Sequence, residues 1–150
     1  MPAVVQPATL DRESSAPLAM EEPFFPMRVL VVEDGRNAAD ILAMFFEMEG
    51  HKVSVAYDGI EAVRLCSDFK PQLIFLDIKM PKMDGLEAAR RIRSQPGGEK
   101  IVIVAVSGFD QDDDKRHCVE AGIDCHLSKP VCPRELRNTI RSFGDRLRPL

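Results

Sequence analysis

The chain has no tryptophan and one tyrosine among its 150 residues, and it carries no excess of positive charge. Lys and Arg number 20 against 24 Asp and Glu, a formal net charge of −4. A field of that sign does not draw a protein to a phosphate backbone, so no direct nucleic-acid partner is expected. No apolar run approaches the roughly 20 residues needed to span a bilayer, so no membrane partner is expected either. The opening stretch MPAVVQPATLDRESS has neither the basic nor the apolar region of a signal peptide. The four cysteines, Cys66, Cys118, Cys125 and Cys132, include no C-x-x-C pair. Three of them are evenly spaced, with His117 and His126 alongside, but the paired-ligand knuckle of a zinc site is missing. They read as small apolar residues of a reduced, cytoplasmic protein.

What is present divides the chain in two. Residues 1–26 carry Pro2, Pro7, Pro17, Pro23 and Pro26, with Asp11, Glu13, Glu21 and Glu22 against Arg12. Proline at that density interrupts helices and strands, and so acidic a segment reads as a disordered tail. Phe24 and Phe25 are its exception, apolar enough to dock on the body. Residues 27–146 read as one domain, followed by a short tail over 147–150. Three continuous apolar runs, Val29–Val32, Leu73–Leu76 and Ile101–Val106, suit strands covered on both faces. Val53, Val55 and Tyr57 alternate with other residues and suit a strand near an edge, and Ile123–Leu127 is expected as a fifth strand.

Helical patterns separate the strands. Ala38, Ile41, Leu42, Phe45 and Met48 form a stripe at helical spacing, stopped by Gly50. Ile60, Val63 and Leu65 mark a second helix, closed by Lys70-Pro71, and Leu86, Ala89 and Ile92 a third, ended by Pro96-Gly97-Gly98. Asp110 is expected to cap a fourth, with Asp112, Asp113 and Asp114 in its first turn, where the helix dipole favours negative charge. Pro133 opens a fifth that runs to about Phe143. It carries Arg134, Arg137 and Arg141, with Arg146 and Arg148 beyond, readable as a partner surface or as a solvated face. Five βα units with right-handed crossovers give an α/β fold, a parallel sheet with helices on both faces.

In such sheets ligands bind beyond the carboxyl ends of the strands. There the sequence places Glu33 and Asp34 after the first strand, Asp77 after the third, Ser107 after the fourth and Lys129 after the fifth. Grouped carboxylates call for a hard dication with oxygen ligands, and Mg²⁺ leaves room for a phosphate oxygen. An ionised Asp77 can attack phosphorus, with Lys129 and the ion balancing charge and Ser107 donating a hydrogen bond. Each residue alone has an ordinary explanation as a cap, a turn or a surface loop. The argument rests on their joint occurrence at four strand ends.

The segments VLVVEDGRNAAD, LIFLDIKMPKMDG, VIVAVSGF and HLSKP resemble the signature segments of response regulator receiver domains of two-component systems. The resemblance covers about residues 27–143. It implies the flavodoxin-like (βα)5 three-layer sandwich with strand order 2-1-3-4-5. It implies that Asp77 accepts a phosphoryl group from a phosphohistidine on a histidine kinase or histidine phosphotransfer protein. Glu33, Asp34, Asp77 and the Lys79 backbone carbonyl would hold Mg²⁺, and Ser107 and Lys129 would contact the phosphoryl group. A cis bond between Lys129 and Pro130 is implied as support. Lys79 and Phe109 would flank the approaching water and tune the lifetime of the phosphoryl group. Four positions depart from the commonest pattern: Glu33-Asp34 in place of two Asp, Gly35, Gly108, and His126 where an aromatic is usual. By resemblance, Ser107 moves toward the phosphoryl group and His126 turns in behind it. The readout face is then the fourth helix, fifth strand and fifth helix, offered to a target protein or to a second copy. The chain is accordingly expected to be a signalling switch rather than an enzyme acting on other molecules. A receiver-like scaffold that works without phosphorylation is the alternative. An aspartyl-phosphate phosphatase would want an acid where Lys79 stands, and a flavodoxin-like cofactor site would not begin with the acidic Glu33-Asp34-Gly35 turn.

Overall fold

Segments rich in Val, Ile and Leu form a five-stranded parallel sheet because both of its faces are roofed by helices and every strand backbone finds a neighbour. The computed structural model describes residues 26–108 and 112–147. Its strands are β1 (Arg28–Val32), β2 (Lys52–Ala56), β3 (Leu73–Asp77), β4 (Val102–Ser107) and β5 (Cys125–Ser128). Their order is β2-β1-β3-β4-β5, as expected, and β3 and β4 are buried along their whole length. The helices are α1 (Arg36–Met48), α2 (Gly59–Phe69), α3 (Gly85–Arg93), α4 (Asp112–Glu120), α5 (Pro133–Ser142) and the short α6 (Gly144–Leu147). Among the described residues no helix is long and apolar enough to cross a membrane.

Strand residues alternate between faces, so the sheet feeds two core layers. Ile74, Leu76, Ile103 and Ala105 pack with Ala62 and Cys66 of α2, Ala88 and Ile92 of α3, and Cys118 of α4. Val29, Val31, Phe75 and Val104 pack on the other face with Ala39 and Phe46 of α1 and Leu136 of α5. Burial pushes the Cys66 thiol up to about 12, which keeps it protonated and inert.

α1 and α2 stop at the expected Gly50 and Lys70, and α2 and α3 start at aspartates that were not singled out from the sequence. Asp58 and Asp84 cap α2 and α3 by accepting the Glu61 and Glu87 amides. Lys70 closes α2 in the left-handed conformation, and Gly50 takes φ +95 after α1.

The stripe on α1 is a correction. Ala38 is exposed, and Ile41 and Met48 are 67% and 82% exposed; Ala39 and Phe46 are the buried residues, with Leu42 and Phe45 half-buried. The helix is apolar nearly all round from Ile41 to Phe46, so spacing alone did not select a face. The Phe46 ring, 5.0 Å from that of Phe75, selects it. On α2 the same shift exposes Ile60 and buries Ala62 and Cys66.

β5 also begins later than expected. The Ile123 amide bonds to Cys118 O at 2.9 Å, which makes Ile123 part of the turn leaving α4. The Pro-rich segment, Phe109 and the Asp110 cap lie outside the described residues, Pro26 excepted.

Away from the carboxyl ends of the strands, one guanidinium ties the lower edge together. Arg93 donates to the carbonyls of Gly122, Gly98 and Ile101 and to Asp124 Oδ2, at 2.6–2.8 Å. Asp124 also accepts the Ile103 amide and the Arg146 guanidinium, each at 2.9 Å. The rigid fork of an arginine suits such simultaneous contacts.

Candidate functional site: an acidic pocket at the carboxyl ends of the strands

Glu33 leaves β1 with its amide on Ala56 O at 3.0 Å, which continues the β1–β2 ladder by one residue and keeps Glu33 buried. The chain then turns sharply, and the Gly35 amide donates to Glu33 Oε2 at 3.0 Å. Asp34 between them is exposed. Asp77 is the last residue of β3, with the Lys79 amide on its Oδ1 at 3.3 Å. One carboxylate oxygen from each of Glu33, Asp34 and Asp77 lies within 4.8 Å of the others.

Lys129 reaches in from β5. Its amide bonds to Ser107 O at 2.8 Å, and the Lys129–Pro130 bond is cis. Its ammonium lies 3.1 Å from Glu33 Oε1 and 3.3 Å from Asp77 Oδ2. Ser107 closes β4 and is buried, and its Oγ lies 2.8 Å from His126 Nε2. Gly108 next to it is exposed, with open space where a side chain would stand.

The electrostatics follow from crowding. Burial pushes the Asp77 carboxyl up, the Glu33 charge adds to this, and Lys129 opposes both; the result is a pKa of about 6. Glu33 goes the other way. Burial pushes it up, but the Gly35 amide and the Lys129 ammonium outweigh that and hold it below the usual carboxylate range. Burial would pull Lys129 down, yet its bond to Glu33 and the charge of Asp77 hold it up. One cation therefore serves two buried carboxylates, and Asp77 is the acid left under-compensated.

The expected residues Glu33, Asp34, Asp77, Ser107, His126 and Lys129 all line this edge. Gly85 was not singled out from the sequence, although it shapes the pocket. Its amide bonds to Ile78 O at 2.7 Å. A Cβ there would run into the Asp77 carbonyl oxygen and stand 2.8 Å from Ile78 Cα. The only signal was its place in the KMDG turn before a helix. Gly85→Ala is expected to lower stability by about 2 kcal/mol, since backbone rather than a flexible side chain must yield. Urea unfolding would show this, and an unchanged midpoint would mean that the turn has slack.

The response regulator receiver domain family matches this chain over residues 29–141. The chain belongs to that family. An uncharacterized 14.6 kDa protein of Leptolyngbya boryana is 34% identical over 117 residues, 78% of this receiver and 89% of that protein. The response regulator MprA of Mycobacterium sp. (strain KMS) is 34% identical over 124 residues, 83% of this chain but only 53% of MprA. The receiver thus spans about half the length of that relative. Among solved structures, the receiver domain of sensor histidine kinase PA1611 from Pseudomonas aeruginosa has a TM-score of 0.73 and 29% identity, covering 79% of this chain and 97% of that one. Its structure has a magnesium ion coordinated in the active site cleft. The Vibrio cholerae chemotaxis protein CheY4 has a TM-score of 0.76 at 24% identity, covers 79% and 98% of the two chains, and speaks for the fold.

Proposed function

We propose that this receiver is a phosphorylation switch in a two-component pathway or phosphorelay, with Asp77 as the acceptor. The reading is carried by three carboxylates within 4.8 Å of one another, with one ammonium bound to two of them. The donor set is all oxygen, and the raised Asp77 pKa marks a negative charge that its neighbours do not balance. Both suit Mg²⁺, held by Glu33, Asp34, Asp77 and the Lys79 carbonyl. The bound magnesium in the PA1611 receiver supports this assignment. When bound, the ion supplies positive charge to the phosphoryl oxygens.

Ionised Asp77 attacks the phosphorus of a phosphohistidine on a histidine kinase or histidine phosphotransfer protein. An O–P bond forms, the P–N bond breaks, and the imidazole leaves with the electron pair and takes a proton from solvent. Lys129 turns its ammonium from Asp77 to the transferred oxygens, and Ser107 donates its hydroxyl proton to one of them. Lys79 flanks the line along which water returns and tunes the lifetime.

The added charge of nearly −2 biases β4 and β5 and is read on the α4–β5–α5 face by a target or a second copy. The protein catalyses only its own phosphoryl gain and loss. Incubation with acetyl phosphate and Mg²⁺, followed by intact mass, should show one added phosphoryl group. Asp77→Asn protein and metal-free samples should show none. No gain from acetyl phosphate or from any phosphohistidine donor would leave the phosphorylation-independent scaffold as the better reading.

A further inference from the structure

Phe24 and Phe25 stand four and three residues before Arg28 in the stretch MEEPFFPM, outside the described residues. The point where this stretch joins the sheet is fixed. The Gln72 amide donates to Arg28 O at 2.9 Å, and the Arg28 amide donates to Gln72 Oε1 at 3.0 Å. Arg28 Nε donates to Lys70 O at 2.7 Å, which ties the start of β1 to the end of α2. The α5 side of this edge is already filled. Met27 packs there in the same layer as Leu147, whose carbonyl accepts Gln72 Nε2 at 3.0 Å. An incoming chain therefore finds its open surface on the α2–α3 side.

That surface holds a groove of about 540 Å³ between the ends of α2 and α3. Cys66, Pro71, Pro96 and Ile101 make its walls largely apolar, and among the described residues that line it Lys70 alone is charged. A cavity of roughly 150 Å³ already admits a benzene ring, so a phenylalanine side chain has room here. Three to four residues span at most about 10–14 Å. That is enough to carry a ring from Arg28 past its bonded neighbour Lys70 and into the groove.

We propose that the Phe24-Phe25 segment of this same chain occupies the groove, with one phenyl ring seated against Ile101. Successive side chains of an extended chain point to opposite sides, so one ring enters and the other stays outside. Two observations favour this occupant over a separate protein. The tether is only a few residues long, which keeps the rings at high effective concentration beside the groove. The charges also match, since Glu21 and Glu22 precede the rings and the groove's one charged residue is the exposed Lys70. The seated ring would strap the ends of α2 and α3 together at the edge of the sheet opposite the acidic pocket. The docking is independent of whether Asp77 accepts a phosphoryl group.

The test uses the full chain, labelled in the phenylalanine rings and the isoleucine methyls, in solution NMR. Ring protons of Phe24 or Phe25 are expected to show NOEs to the Ile101 methyls. A Phe24→Ser/Phe25→Ser variant is expected to lose those NOEs and to unfold roughly 4–8 °C below wild type, the scale of one ring returned to water. Absence of the NOEs in wild type overturns the proposal and leaves the groove to a separate partner. NOEs seen only between differently labelled chains in a mixed sample also overturn it, because a second copy would then supply the ring. An unfolding temperature unchanged in the double variant overturns it as well, since a seated ring must stabilise the fold that holds it.

Discussion

Asp77→Asn is expected to abolish phosphoryl acceptance completely and, in the absence of metal, to make the protein more stable at neutral pH. The two effects have one cause. Asp77 is buried beside Glu33, and its pKa stands at about 6 against an ordinary 3.8. Below about pH 4 the carboxyl is protonated in both folded and unfolded chains and costs nothing. Between about 4 and 6 the folded protein still holds a proton that the unfolded chain has released. Stability from this group therefore falls as pH rises through that window, and the loss persists at pH 7. Taken undiminished, the shift corresponds to about 3 kcal/mol. Water on the open side of the pocket screens it, leaving about 1–2 kcal/mol for the amide to recover. Glu33 has the opposite sign: its pKa is lowered, so its contribution is present at neutral pH and is lost as the pH falls into the acid range.

Thermal unfolding of both proteins in EDTA from pH 4 to 8 separates these terms. The variant should gain on wild type as pH rises from about 4 to 6 and keep its lead at pH 7. Mg²⁺ should then raise wild type more than the variant, since ion binding to the native state stabilises it by mass action. A variant equal to or less stable than wild type in EDTA at pH 7 would mean that Asp77 is not held under electrostatic strain.

The second large effect lies away from the pocket. Arg93→Ala is expected to cost about 2–3 kcal/mol, the scale of losing the charge-assisted hydrogen bonds of a half-buried guanidinium. The Arg93 side chain is 18% exposed, and its loss would strip a donor from three carbonyls and a partner from Asp124. Arg146 would remain on Asp124, which limits the damage to that carboxylate. Arg93→Lys should recover only part of the loss, because a point ammonium cannot span these acceptors at once. Urea unfolding measures both variants. Well below the unfolding midpoint, phosphoryl gain by Arg93→Ala should match wild type, since the clasp closes the end of β4 away from Ser107. A loss below about 1 kcal/mol would show that water replaces the guanidinium without difficulty.

The parallel sheet and the composition of the pocket were legible for a local reason, whereas the strand order came from the resemblance of the signature segments. A strand covered on both faces needs an unbroken apolar run, and such runs stand out at Val29–Val32, Leu73–Leu76 and Ile101–Val106. The polar residue that ends each run is then fixed in sequence, and parallel pairing carries all those ends to one edge. Glu33, Asp34, Asp77, Ser107 and Lys129 could therefore be picked out without any knowledge of distance. The helices were less legible. α1 is apolar on almost every side, and β-sheet packing through Phe46 and Phe75 chose the face that spacing left open.

The order of apolar runs was enough to establish a parallel α/β sheet and the residues at its acidic edge, because both follow from which groups must leave water, while the receiver family came from the resemblance of the signature segments. Packing across the sheet established the rest. It set Lys129 between Glu33 and Asp77, brought His126 to Ser107, and pressed Gly85 against the backbone beneath Asp77. Those are contacts between residues 19 to 96 apart in the chain, or approaches closer than a Cβ allows. Their energies depend on separations of a few tenths of an ångström, which residue type and spacing do not encode and which close packing of the folded chain imposes.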